Sequence, residues 1–224
     1  MSRKNIEKVD EAHGQFDFEY SEEETEDLPE FGETEYWDDR YKKEEDKLFD
    51  WYFDWNRVSK LLTQYTNNHK EKVLVLGCGN SPLSADLLDD GFSSVYSIDV
   101  SSVVIEKMKE IYKDKKNLYW ETMNCAELKY DSNFFDLCLD KGTLDAVVCS
   151  VKDQELVKNT LEEVYRTLKP GGFFISITFG PPSRRLPFFN LVKLDWKLLP
   201  PFQIKHEDDD ERDIHHFVYA FQKP

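Results

Sequence analysis

The chain has 224 residues, enough for one domain with a full core and short extensions. Its 45 acidic residues outnumber 29 basic ones, and the formal net charge of −16 disfavours nonspecific binding to nucleic acid or an anionic membrane and suits a basic partner. No apolar run approaches the ~20 residues that span a bilayer, and the opening SRKNIEKVDEAHG has no signal-peptide core.

Residues 1–35 hold 13 acids and 3 bases and few apolar side chains, so this stretch reads as a disordered acidic arm, either a docking segment or a solvated tail. The character changes at Tyr36, with YWDDRY and then FDWYFDW over residues 49–55. Trp37 and Tyr41 lie four apart and share one helix face. Their rings either pack on the core or form a lid over a ligand, and Arg40 between them is able to grip a carboxylate bidentately. Val58, Leu61, Leu62 and Tyr65 then repeat at the spacing of a core-facing helix.

Val73, Leu74, Val75 and Leu76 form a short apolar run of the kind found in strands buried on both faces. Gly77 and Gly79 follow, where a chain turns sharply and lets a ligand approach its backbone. Ser81 suits a helix N-cap and Pro82 the first helical position, so the stretch reads strand, glycine loop, helix, with free N–H groups of the loop and helix start facing the ligand. Leu83, Leu87 and Leu88 line that helix, which stops at Gly91. The next strand, Ser94–Asp99, ends in an acid twenty residues after Gly79, a placement that binds two ribose hydroxyls or, alternatively, caps the next helix. A dinucleotide fingerprint has Gly or Ala where Pro82 stands. S-adenosylmethionine, which carries no phosphate, fits the same strand-loop-helix logic without that residue.

Val103, Val104, Met108 and Ile111 give the following helix its apolar face, and Leu118–Thr122 reads as a third strand. Asn124 and Cys125 lie just beyond it, Asn124 either reading an adenine edge or serving as a plain loop residue. Residues 134–140, FFDLCLD, form a fourth strand ending in Asp140, before Lys141, Gly142 and Thr143. Leu156, Val157, Leu161, Val164 and Leu168 make a helix stopped by Lys169-Pro170-Gly171-Gly172, and residues 173–179 form a fifth strand. After a proline-rich loop, residues 196–205 and 214–222 pair as a hairpin around HEDDDERD, whose net charge is −5. The four cysteines, Cys78, Cys125, Cys138 and Cys149, have neither C-x-x-C spacing nor a nearby His, so they read as reduced thiols of an intracellular protein, with no metal site expected.

The element order predicts an α/β three-layer sandwich, Rossmann-like, with a mostly parallel seven-stranded sheet and an antiparallel C-terminal hairpin. Residues 36–224 form its single domain. Gly77, Asp99, Asn124 and Asp140 all fall at strand C-terminal ends around the point where the sheet halves meet, which is where open α/β sheets bind ligands.

The segments YWDDRY, FDWYFDW, VLVLGCGNSPLSADL, DVSSVVIEKMK, LYWETMNCAEL, FFDLCLDKGTLDA and LKPGGFFISITF together resemble class I S-adenosylmethionine methyltransferases of the eukaryotic elongation factor 1-alpha lysine methyltransferase group. The resemblance covers about residues 36–222. It implies S-adenosylmethionine as cofactor and S-adenosylhomocysteine as product. Gly77 and Gly79 then back the methionine part, Asp99 holds the ribose, Val100 lies against the adenine, and Asn124 and Cys125 meet its edge. Trp37, Tyr41 and Trp51 close over the cofactor, and the backbone of Lys141 lies near the methionine end. Many members carry an acid where Leu76 stands, and often Asp at the position of Asn124. The segment between Cys149 and Leu156 is shorter than in similar members, and HEDDDERD is more acidic.

The implied reaction is protein-lysine methylation of a basic protein such as elongation factor 1-alpha, by a cytoplasmic monomer that binds neither nucleic acid nor membrane. The amine must arrive neutral, its pKa near 10.4 lowered by desolvation. Asp140 is the candidate for orienting it, and otherwise caps its strand. A small-molecule methyltransferase and a non-catalytic cofactor-binding scaffold are the alternatives. The acidic segments are expected to draw in the basic substrate and to do so less well as salt rises.

Overall fold

The computed structural model describes residues 31–44, 47–66, 70–149, 154–205 and 215–224. The acidic arm up to residue 30 and the acidic loop 206–213 lie outside the described residues, as does 150–153 of the segment after Cys149.

Two helices, α1 (Thr34–Lys43) and α2 (Trp55–Leu62), precede the sheet. The alternation continues with β1 (Lys72–Leu76), α3 (Leu83–Asp89), β2 (Ser94–Asp99), α4 (Ser102–Ile111), β3 (Leu118–Thr122), β4 (Phe135–Lys141), α5 (Thr143–Cys149), α6 (Gln154–Thr167) and β5 (Leu168–Thr178). It ends with α7 (Pro182–Phe189), β6 (Lys197–Leu198), β7 (Phe202–Lys205) and β8 (His215–Gln222). The domain boundary expected after Glu35 falls inside α1, where Glu35 adds an acid to the first turn and favours the helix start.

Strands β3, β2, β1, β4 and β5 lie side by side and parallel, and β8 adds antiparallel to β5. The chain builds outward from β1 through β2 to β3, then returns to β4 on the other side of β1. The crevice expected between the first and fourth strands is therefore present. Successive residues of β1 face opposite layers. Val73 and Val75 pack with Leu61, Leu87 and Met108 on one side, while Leu74 and Leu76 pack with Leu144, Leu161 and Phe174 on the other. Burying each such side chain is worth roughly 1.5–3 kcal/mol, so these two apolar layers hold the strand tips in place.

Among the described residues eight strands replace the expected seven, because the outer member of the hairpin is split. Both β6 and β7 pair with β8, but Pro200 and Pro201 between them have no N–H to give. The register also slips there, with Leu198 opposite Phe221 but Phe202 opposite Val218. The Lys169–Gly172 stretch does not sit between helix and strand as expected. It forms a bulged start of β5, and the register with β4 jumps between Phe135 and Leu137. Two helices were not expected, α5 and α7. In α7 the prolines of PPSRRLPFF disguise a helix whose N-cap is Pro181 and whose first residue, Pro182, loses no hydrogen bond.

Candidate active site

A cavity of about 510 Å³ opens along the C-terminal tips of β2, β1 and β4. Its floor is the glycine loop. Gly77 and Gly79 have φ of 49° and 52°, the left-handed region that glycine enters without steric cost. A Cβ on Gly77 would lie 2.2 Å from Thr143 Oγ1, and one on Gly79 would lie 2.8 Å from the Tyr41 hydroxyl. Gly77→Ala is therefore expected to cost about 2–4 kcal/mol through left-handed strain plus overpacking, read as a lower Tm. A melting temperature equal to the parent's would show that Thr143 gives way freely.

Most of the loop N–H groups that the sequence suggests are free are taken up within the protein. The N–H of Cys78 donates to Ile98 O at 2.9 Å, that of Gly79 to Asp99 Oδ2 at 2.9 Å, and that of Ser81 to Cys78 O at 3.4 Å. The Leu83 N–H donates to Ser81 Oγ at 3.1 Å, and α3 begins one residue after Pro82. With these donors spent, the loop makes a poor anion nest, which suits a ligand without phosphate.

Asp99 sits at the β2 end of the cavity and is buried. Its Oδ1 accepts from Ser101 N at 2.9 Å while Oδ2 holds Gly79 N. Each oxygen keeps a lone pair, so a vicinal diol can still donate to both. Burial pushes the carboxyl up to about 6, against the backbone donors of Ser101, Gly79 and Val100, and nearby Asp38 adds to the rise. The cap of α4 is Ser101, so Asp99 is not needed there; Asp38 in turn accepts from Ser101 Oγ at 2.5 Å.

The roof is the N-terminal aromatic segment. Trp37 and Tyr41 stack with ring centroids 5.9 Å apart, and both line the cavity together with Trp51. Arg40 does not reach into the cavity. Its Nε pairs with Glu44 at 2.9 Å and its guanidinium lies 4.8 Å from the Trp51 ring. Lys107 clamps the end of α1, donating to Tyr41 O at 2.6 Å and Glu44 O at 2.7 Å. Residues 47–53 then cross the mouth as a strap, tied by the Phe49 N–H to Asn80 O at 3.1 Å and by Asn80 Nδ2 to Lys47 O at 2.9 Å.

Lys141, at the tip of β4, has a role the sequence did not suggest. It lines the cavity, but its ammonium turns into the strap and donates to Asp50 Oδ1 at 2.6 Å, Trp51 O at 3.0 Å and Phe53 O at 3.2 Å. Asp50 also accepts from Ser81 Oγ, which joins the strap to the glycine loop. Tyr52 has φ of 65°, and the Phe53 N–H donates back to Trp51 O at 2.8 Å. This three-residue turn is strained for a residue with a Cβ, by about 1–3 kcal/mol, and the Lys141 bonds on either side of it hold it in place.

Asp140 is not at the cavity wall, contrary to its expected role in orienting an amine. It is fully buried below the floor, where Oδ1 accepts from Thr143 N at 2.9 Å and Leu144 N at 3.1 Å and Oδ2 accepts from Ser176 Oγ at 2.6 Å. It caps α5 and fixes the β4–α5 turn. The cavity carboxylate on this side is Asp145, one turn further along α5.

Val100, Asn124 and Cys125 all line the β2–β3 end. The Asn124 carbonyl oxygen is held by Ala126 N at 2.9 Å, which leaves its amide N–H groups for a ligand. The Cys125 thiol turns away onto Thr160 Oγ1 at 3.4 Å, and burial pushes it up to about 11. Of the expected site residues, Trp37, Tyr41, Trp51, Gly77, Gly79, Asp99, Val100, Asn124, Cys125 and Lys141 are thus brought to one cavity, and Asp140 is not. Asp50, Tyr52 and Asp145 join the site without having been expected from the sequence. The signal for the last lay in the Asp-Lys-Gly-Thr-Leu-Asp run, whose second acid falls one helical turn past the strand tip.

Residues 74–176 match a family model described as a methyltransferase domain. The chain is 38% identical over 177 residues to EEF1A lysine methyltransferase 4 of Mus musculus, covering 75% of this chain and 69% of that protein. It is 37% identical to the human eEF1A lysine and N-terminal methyltransferase, over 67% of this chain but only 22% of that longer protein. Among solved structures, the N-methyltransferase NodS of Bradyrhizobium japonicum, in complex with S-adenosyl-L-homocysteine, superposes with a TM-score of 0.64 at 16% identity, covering 83% of this chain and 96% of that one. The cyclase SpnF superposes with a TM-score of 0.58 at 13% identity over 79% of this chain and 85% of its own, so likeness of this order fixes the fold and not the reaction. With a buried carboxylate at the tip of β2, a glycine loop and an aromatic roof around one cavity, and with those relatives, the chain belongs to the S-adenosylmethionine-dependent methyltransferases of the eEF1A lysine methyltransferase family.

Proposed function

We propose that this enzyme methylates a lysine side chain of elongation factor 1-alpha. The observation that carries the reading is the 38% identity to EEF1A lysine methyltransferase 4 across 75% of the chain. A strongly acidic protein acting on a basic one agrees with it. We take the protein to act as a cytoplasmic monomer, without nucleic acid or membrane.

When bound, S-adenosylmethionine would supply an activated methyl group to the neutral amine of the substrate. The protein's part is alignment and dryness. Asp99 accepts the ribose hydroxyls, with Val100 beside the adenine site and the Asn124 amide at its edge. Tyr41 and Trp37 cover the cavity, and the strap held by Lys141 keeps water out of the mouth. The cavity runs from Asp99 at β2, over the glycine loop at β1, to Gly142 at β4. The acceptor amine therefore enters at the β4 end, past Phe179, a residue 46% exposed.

Incubating the purified chain with tritiated S-adenosylmethionine and elongation factor 1-alpha, beside a metabolite extract, is expected to label the protein on lysine. Label only in the metabolite fraction would favour a small-molecule methyltransferase. Cofactor binding with no label anywhere would favour a scaffold.

A further inference from the structure

We propose that the Tyr52 hydroxyl, whose proton is committed to Asp145, receives the acceptor amine by accepting one of its N–H groups, and so aligns the nitrogen with the methyl group. This rests on the amine-methylating reading above and names the residue that serves it.

The position comes first. The ribose end of the cavity is fixed by Asp99, so the reacting end lies at the tips of β4 and β5. There the wall is built from Tyr52, Gly142, Asp145 and Phe179. The Tyr52 ring fits against Gly142 because that residue has no side chain; a Cβ there would stand 3.1 Å from the ring. Tyr52, at φ 65°, meets this wall through its hydroxyl bond to Asp145.

Hydrogen-bond capacity then selects the atom. Asp145 looks like the natural partner for an amine, but its lone pairs are spent. Oδ1 accepts from Thr178 Oγ1 and Arg185 Nη2, and Oδ2 accepts from the Tyr52 hydroxyl at 2.8 Å and from Phe179 N at 3.3 Å. A carboxylate has about four acceptor sites, and all four are taken. The Tyr52 oxygen is different. It gives its one proton to Asp145, and among the described residues no donor reaches it in return. Tyr52 lines the cavity, and its oxygen keeps acceptor capacity there.

Charge decides which form of the amine this acceptor favours. The buried Asp145 carboxylate is paired with the equally buried Arg185 guanidinium, so this end of the cavity carries no net charge. Burial, and then the adjacent Asp145, hold the Tyr52 phenol well above its ordinary range, so the group stays a neutral hydroxyl. A neutral acceptor in a dry site gives an ammonium little return for its lost hydration, whereas a neutral amine loses far less. The arrangement orients an amine without stabilising its protonated, unreactive form. No proton needs to pass to the protein.

The test uses the full chain and Tyr52→Phe, which keeps the ring. Single-turnover methylation of elongation factor 1-alpha is expected to slow by about tenfold or more, with S-adenosylhomocysteine affinity within about twofold of the parent, as for loss of one oriented hydrogen bond. In parallel, n-butylamine titrated at alkaline pH into the S-adenosylhomocysteine complex, followed by tryptophan fluorescence, is expected to saturate in the parent and to bind about tenfold more weakly in the variant. Equal butylamine binding, or transfer at the parent's rate, would overturn the proposal. So would a loss of S-adenosylhomocysteine affinity as large as the loss of transfer, because Tyr52 would then only hold the strap. If the parent leaves elongation factor unlabelled while butylamine still distinguishes the two proteins, the protein substrate is wrong and the amine site stands.

Discussion

Lys141→Met is expected to destabilise the protein by about 3–5 kcal/mol, the cost of removing one partner from a buried ion pair. All three ammonium donors are in use, and the side chains of Lys141 and Asp50 are 5% and 16% exposed. Methionine fills the volume but strands a carboxylate and two backbone carbonyls in a dry place. Burial pulls the lysine down from its ordinary value, with Asp50 opposing, so the pair depends on both members being present. The strap should loosen, and S-adenosylhomocysteine affinity should fall with it. Urea unfolding of Lys141→Met beside the double variant Asp50→Asn/Lys141→Met separates the causes, since removing the stranded charge should recover part of the loss. A single variant that unfolds within about 1 kcal/mol of the parent would mean that the interaction is solvated and weak.

The second large effect concerns Asp99. Asp99→Asn is expected to weaken S-adenosylhomocysteine about tenfold to a hundredfold, because an amide keeps one acceptor and points N–H at either Gly79 or Ser101. The parent's affinity should also depend on pH. With the carboxyl pushed up to about 6 by burial, the ionised form that accepts ribose hydroxyls is lost as pH falls through that value. Affinity should drop about tenfold from near pH 7 to near pH 5, and Asp99→Asn should flatten the dependence. The ligand-free protein should follow the opposite trend. A folded-state carboxyl raised above its unfolded value contributes stability that is full below the unfolded pKa and is lost as pH rises through the folded one. Asp99 and Asp140, both near 6, act in the same direction. Calorimetric titrations and thermal melts across this range measure both trends, and a flat affinity profile would remove Asp99 from the ribose site.

The parts of this molecule that were readable from sequence are those set by local pattern. The run Val73 to Leu76, the φ-positive glycines and the acid at the end of β2 announce themselves through periodicity and spacing, and the structure brings them together. Asp140 shows where such reading fails. An acid at a strand tip can face a ligand or cap the next helix, and only α5, absent from the expected elements, decides it. Lys141 and Tyr52 fail for a different reason. Their partners, Asp50 and Asp145, lie 91 and 93 residues away in sequence, and no local signal encodes a contact at that range. The turn of the glycine loop is legible in its two glycines, but the fate of its donors is not, since Ile98 and Asp99 on the neighbouring strand take up the Cys78 and Gly79 N–H groups.

The proline pair on the outer side of β8 bears on how this protein behaves beside its own copies. A sheet edge with a continuous row of unpaired N–H and C=O groups is a template on which a second chain can add a strand, the usual first step of edge-to-edge aggregation. Here the outermost segment is cut into pieces of two and four residues, and a register slip re-aims the backbone between them. An incoming strand meets Pro200 and Pro201 before it can propagate a ladder. The lost hydrogen bonds make the hairpin locally weaker, and in exchange the sheet stops growing at its own border.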